Sequence, residues 1–219
     1  MKTKIDKSKK QGLKGVKPAN QKRSIELQDK FVRAGQEMLL NMRLADIRIP
    51  DLAEKAGSSI GGFYSRFEDR EVFFQFLQAA MLEDHMNIES ALTTENLAKL
   101  SDVEVIEFVT ATTIKIFSPP WRGVLRESYA TIAEGEDKWA PMRKRGKKVA
   151  DIVVALFNDR FNGRSNGPKE DTILFAMQML NSALINDLMN PKLRFSIGDN
   201  RFEKHLSQML FRFLELETE

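Results

Sequence analysis

After residue 23, apolar positions recur at helical spacing through almost the whole chain. Leu27, Phe31, Ala34 and Met38 stand at i, i+4, i+7 and i+11, so they line one face of a helix that opens at Ser24. The pattern breaks over 41–48 and resumes as two short segments. The first opens at Pro50, tolerated in a first turn whose N–H would lack a helical partner anyway, and carries Leu52, Ala53 and Ala56 as a narrow apolar seam. Gly57 then offers the left-handed conformation that ends a helix, and Ser58 or Ser59 can cap the next one by accepting a backbone N–H. That next segment, 60–67, puts Phe63 and Phe67 four residues apart on one face, where they should be buried. Two short helices joined by a glycine turn read as a helix-turn-helix, whose second helix can lie in a DNA major groove.

A fourth helix is expected from Asp69, a suitable cap, with Glu71 favouring the positive helix end and Phe73, Phe76, Leu77, Ala80 and Met81 forming its apolar face. It continues to about residue 91. Beyond a polar break at 93–95, helical periods fill 102–117, 120–133, 141–161, 169–189 and 201–216, and no segment alternates with the two-residue period of a strand. The expected class is all-α. An N-terminal three-helix helix-turn-helix domain at 24–72 precedes a larger helical domain at 73–219.

Composition narrows the class. Of 219 residues, 42% are hydrophobic and 30% charged, the balance of a globular chain able to bury a sizeable core. With no cysteine, disulfides, thiolate metal sites and cysteine nucleophiles are excluded. No apolar run reaches membrane-spanning length and no signal-peptide pattern follows the lysine-rich start, so a cytoplasmic location without a membrane partner is expected. The net charge of +3 is unevenly placed: residues 1–23 hold nine basic residues against Asp6, which leaves −5 for the rest. Residues 1–20 have few large apolar side chains and no helical periodicity and are expected to be disordered when free. Both a solubilising tail and a basic arm that contacts DNA fit them.

The run AEKAGSSIGGFYSRFEDREVF at 53–73 resembles the tetracycline-repressor (TetR) family of bacterial transcription regulators. The resemblance spans residues 24–80 and rests on Leu52-Ala53, Ala56-Gly57, Gly61, Phe63-Tyr64, Phe67 and Glu71. It implies about nine helices, a C-terminal domain for ligand binding and dimerisation, and a homodimer formed through 169–189 and 201–216, with Ser182 and Ala183 allowing close approach. Two recognition helices would then read a pseudo-palindromic double-stranded DNA operator. The implied activity is ligand-responsive repression, with an activator or an effector-independent regulator of the same fold as the alternative.

The resemblance implies a DNA-backbone contact for Tyr64 and a phosphate contact for Arg70, where the family commonly has Lys. Arg48 is a second clamp candidate, although relatives commonly cap a helix with Ser or Thr there. Glu68 stands where Lys is frequent, and Ile60 and Gly62 replace polar side chains, so base reading falls to Ser59, Ser65 and a thymine-methyl contact by Ile60. Arg66 can reach guanine or phosphate. Gly61 and Gly62 each cost roughly 1 kcal/mol in a helix relative to Ala, and close approach of the backbone to DNA would explain both.

For an unidentified small-molecule effector, the candidate contacts are Trp121, Tyr129, Met177 and Asn181, each of which could equally be ordinary core. The cluster 142–148, rich in Lys and Arg, reads as a solvated face. His85 and His205 stand alone, with no metal-ligand spacing, no phosphate-binding glycine loop and no catalytic set, so no cofactor, metal or catalytic residue is expected. A helical enzyme is the remote alternative.

Overall fold

The computed structural model describes residues 13–17, 22–130, 140–161, 167–190 and 192–216. Among these the chain forms ten α-helices: α1 (Lys22–Asn41), α2 (Ile49–Lys55), α3 (Ile60–Tyr64), α4 (Arg70–Glu89), α5 (Thr94–Leu97), α6 (Asp102–Ile116), α7 (Arg122–Ala130), α8 (Ala140–Arg160), α9 (Glu170–Met189) and α10 (Asn200–Phe213). A 3-10 turn, Leu44–Asp46, lies between α1 and α2. The chain is all-α as its periodicity predicts, and α5 is the addition. It is a single turn whose first N–H groups are capped by Thr93, too short to display a period in sequence.

The described residues divide into two compact units. The first comprises the chain up to Met86 together with Pro119 through α7; the second comprises Asn87–Ser118 with α8, α9 and α10. The core of the first unit is aromatic. Phe31, Phe63, Phe67, Phe73 and Phe76 are all fully buried. Their neighbouring ring centroids lie 5.0 to 6.1 Å apart, mostly edge to face, the arrangement that aligns ring edges with ring faces. Gly35 admits this cluster to the flank of α1, since a Cβ there would come 2.7 Å from Phe73 Cζ.

Helix α7 joins that unit along a seam with α1. At Gly123 an added Cβ would stand 2.3 Å from the backbone carbonyl of Leu39, so the two helices meet at backbone distance. Arg126 then donates to the carbonyls of Leu39 and Met42 at 2.8 and 2.7 Å, satisfying acceptors that the end of α1 leaves open. The buried carboxylate of Glu127 accepts the Leu44 N–H at 2.9 Å and pairs with Arg43 at 2.8 Å. One turn of α7 thereby fixes the segment that leads into α2.

In the second unit, Ser101 and Glu104 form a reciprocal capping box at the start of α6. Arg160 of α8 pairs with Asp102 and donates to the carbonyls of Leu97 and Leu100. The basic run 142–148 is not wholly a solvated face: Arg145 is largely buried and pairs with Glu89 at 2.7 Å, while Lys147 makes an exposed pair with Asp151. Helix α9 is apolar nearly all round. Ile173, Met177, Leu180, Leu184 and Leu188 are buried, whereas Leu174, Phe175, Met179 and Met189 are exposed, as are Met209 and Phe213 of α10. Among the described residues, no helix is long and apolar enough to cross a membrane.

Most of the arm at 1–23 lies outside the described residues. Two parts of it depart from the disordered expectation: α1 begins at Lys22, and residues 13–17 form a turn followed by an antiparallel bridge between Val16 and Phe67.

Candidate nucleic-acid interface

The turn between α2 and α3 is built as its residue types predict. Gly57 adopts φ +59°, and its N–H and that of Ser58 return to the carbonyls of Glu54 and Ala53, both at 2.9 Å, closing the end of α2. Of the two serines, Ser59 is the cap, accepting the Gly62 N–H at 3.0 Å. Phe63 is fully buried and pins α3 to the aromatic core, which turns the neighbouring positions outward. Ile60 and Tyr64, one turn apart, are 46% and 45% exposed, and Ser59, Gly61 and Ser65 are exposed beside them. Ile60, Gly61, Tyr64 and Ser65 share the side of α3 turned away from Phe63, with Ser59 at its start.

The helix itself is shorter than the expected 60–67. Ser65 ends it, its hydroxyl donating to the Gly62 carbonyl at 2.7 Å, and Phe67 reaches the core from the bridged segment beyond. The two glycines also separate. A Cβ at Gly61 would meet nothing closer than 3.8 Å, so no packing within the chain explains why a side chain is missing there. At Gly62 a Cβ would fall 2.3 Å from Ser58 Oγ, so a side chain there would first turn that hydroxyl aside.

Each candidate arginine has a partner within the chain. Arg48 holds Asp51 with two hydrogen bonds of 2.7 and 2.9 Å, and hydrogen bonding to that carboxylate raises its pKa still further. Arg70, half-buried, donates to the carbonyl of Ala45 at 2.7 Å and of Ile47 at 3.4 Å, tying the start of α4 to the turn before α2. Arg66 is half-buried beside the arm segment, its guanidinium 3.5 Å from the carbonyl of Lys17. The short segment Gly15–Lys17 was not singled out by the sequence. The available signal was an isolated Val16 after a glycine in a run of lysines.

The four effector candidates fall two in each compact unit. Trp121 is buried and donates its indole N–H to Asp84 at 2.7 Å, and Tyr129 lies half-buried on α7. Met177 is buried on α9, and Asn181 returns its amide to the Met177 carbonyl at 2.9 Å. An open groove of about 1070 Å³ runs between α6 and α10, lined by residues that include Val103, Ile106, Phe108 and Phe211, and none of the four lines it. Among the described residues, no group of three or more His, Cys, Asp or Glu side chains is placed to hold a metal ion.

Solved structures share this architecture. A protein described as a TetR-family transcriptional regulator from Mesorhizobium loti aligns with a TM-score of 0.64 and 15% identity, over 89% of this chain and 98% of its own. GusR of Salmonella enterica aligns at 0.55 and 17%, over 86% and 95%. NalD, the secondary repressor of the MexAB-OprM multidrug efflux pump in Pseudomonas aeruginosa, aligns at 0.52 and 14%, over 88% and 97%. Neither a protein-family model nor a curated protein sequence matches the chain. The chain has the fold of TetR-family regulators.

Proposed function

We propose that the chain is a DNA-binding transcription regulator, acting as a homodimer that represses by occupying a pseudo-palindromic operator. The observation that carries the reading is the bare face of α3, where Ile60 and Tyr64 stay nearly half exposed and Gly61 leaves its surroundings open on a helix otherwise fixed by buried Phe63. A backbone left open in this way can come close to a duplex, with Ile60 against a thymine methyl and Tyr64 and Ser65 within reach of phosphate or base edges. Arg48, Arg66 and Arg70 add positive charge around that face, but their intramolecular partners make them positioning groups as much as phosphate clamps. Repression is supported by the shared fold with NalD, which is described as a repressor. The homodimer is supported by the exposed apolar side chains of α9 and α10. Release by a small molecule completes the proposal, and a ligand screen for loss of the DNA complex tests it.

The central test is selection of bound sequences from random duplexes, followed by titration of the selected operator at fixed salt. Tyr64→Ala is expected to weaken binding about tenfold or more, or ~1.4 kcal/mol. Gly61→Ala should weaken it too while leaving the thermal midpoint unchanged or slightly raised, because Ala is the better helix residue by about 1 kcal/mol and meets no steric obstacle. If both variants bind like the wild type, α3 is not the reading element.

A further inference from the structure

The bridge at Val16 has no counterpart among the demands of a helix-turn-helix. Glu68 donates its N–H to the Gly15 carbonyl at 3.1 Å, Lys17 donates its own to the Arg66 carbonyl at 2.9 Å, and Val16 sits opposite Phe67 between them. The Lys17 ammonium donates to the carbonyl of Tyr64 at 2.9 Å, at the end of α3. Val16 is buried. Gly15 holds φ +85°, and a Cβ there would stand 2.9 Å from Val72 Cγ2 and Glu68 Oε2, so the site accepts glycine and little else. Register, side-chain burial and backbone conformation are thus all specified over three residues. Residues 1–12, which lead into this point, contain five lysines and a single acid, Asp6.

We infer that Gly15–Lys17 is an anchor that fixes the root of a basic arm beside α3, and that the arm forms a second DNA contact, on phosphates flanking the segment that α3 reads. The inference rests on the proposed DNA binding, but adds to it a separate element. A lysine-rich segment attached far from the groove would only enrich the local potential. One tied to the residues that follow Tyr64 begins at the duplex itself, so its lysines displace counterions in the same complex. Lys14 and Lys17, both exposed, lie at that root.

The test measures binding against salt concentration on two duplexes, the selected operator and a scrambled one, for the wild type, a deletion of residues 1–12, Gly15→Val and Val16→Ser. The deletion should flatten the slope of log K against log salt by about 2 to 4 per arm on both duplexes, since each lysine–phosphate contact contributes roughly 0.9. Gly15→Val keeps every charge, yet should lose about half of that slope because the root is released. Val16→Ser, which leaves the backbone conformation free of strain, should do the same if Gly15→Val proves poorly folded by thermal unfolding. Identical slopes for deletion and wild type on both duplexes, or no DNA binding by any form, overturn the inference. Normal binding by both anchor variants alongside weak binding by the deletion overturns the anchor. A flattened slope on both duplexes together with no effect of Tyr64→Ala supports the arm while removing α3 as the reader.

Discussion

The aromatic head and the α9–α10 pair draw on the same kinds of side chain and place them oppositely. In the head, five phenylalanines from α1, α3, the bridged segment and α4 close on one another with none exposed. On α9 and α10, Phe175 and Phe213 also pair, with centroids 5.7 Å apart, yet remain 47% and 44% exposed, with Met179 and Met209 open to solvent as well. A cluster that closes on itself stabilises its own unit and can hold a small polar and apolar face open to solvent without needing help. A paired but open one has unburied apolar area that only another surface can remove from water, and a second copy of the same two helices is the self-complementary candidate.

The largest expected effect breaks the closed side of this contrast. Phe63→Ala removes a ring that touches Phe31, Phe67 and Phe73 at once and should cost about 3 to 5 kcal/mol of unfolding free energy, independent of protein concentration, in a denaturant titration. A loss below about 1 kcal/mol would mean that the cluster is looser than its geometry. The open side predicts a different signature. Phe175→Asp places a charge on the exposed strip and should cost the isolated chain about 1 kcal/mol, the worth of its ring contact with Phe213. In sedimentation equilibrium it should weaken self-association by about 2 kcal/mol or more, the range of a central interface residue. Association that survives this substitution would take the homodimer away from α9 and α10.

A smaller effect sharpens how α7 belongs to the head. Gly123→Ala drives a methyl into the Leu39 carbonyl and should destabilise by about 2 kcal/mol, as overpacking against backbone does. Gly146→Ala, in α8 with open space around it, should instead be neutral or stabilising by up to ~1 kcal/mol. Thermal melts of the two variants compare them directly, and equal behaviour would refute the close seam.

What the sequence made legible was whatever depends on neighbours along the chain. Period and capping located the main helices, the Gly57 turn and the buried pair Phe63 and Phe67, because those follow from spacing and local backbone chemistry. It could not reveal the partner of a face. Arg126 and Glu127 are 83 to 87 residues from the α1 end and loop that they bind, and nothing in their surroundings names that target. Arg48 and Arg70 stood out as candidates for phosphate contact, but the carboxylate and carbonyls that engage them within the chain were not legible. On α9 the buried set Ile173, Leu180 and Leu184 was visible as a period, while the second, exposed apolar face was obscured by a helix that is apolar on nearly every side. The end of α3 was set too late in the chain for a related reason: Phe67 has helical spacing from Phe63 but owes its burial in part to a strand-like pairing with Val16, fifty-one residues earlier.

The smallest expected effect concerns acid, and separates two kinds of helix start. Helix α3 starts on the hydroxyl of Ser59 alone, which does not titrate, whereas at α6 the Glu104 carboxylate closes the box begun by the Ser101 hydroxyl and α10 starts on the Asp199 carboxylate. The N–H of Ser101, joined by its hydroxyl, holds the Glu104 pKa below the ordinary value, and hydrogen bonds from the Arg201 side chain and backbone do the same for Asp199. Because the folded-state values are depressed, both carboxylates contribute stability above the unfolded-state values of about 4.3 and 3.9, and that contribution disappears as pH falls through the folded values. Carbon-detected NMR titration should therefore give both groups midpoints below those references. Over the same acid range the Ser101 amide of α6 and the Arg201 amide of α10, which donate to these carboxylates, should lose protection while the Gly62 amide, capped by Ser59, does not. Glu104→Gln should remove the pH dependence at α6 alone. If the α6 and α10 starts keep full protection below the carboxylate range, their caps act through geometry rather than charge.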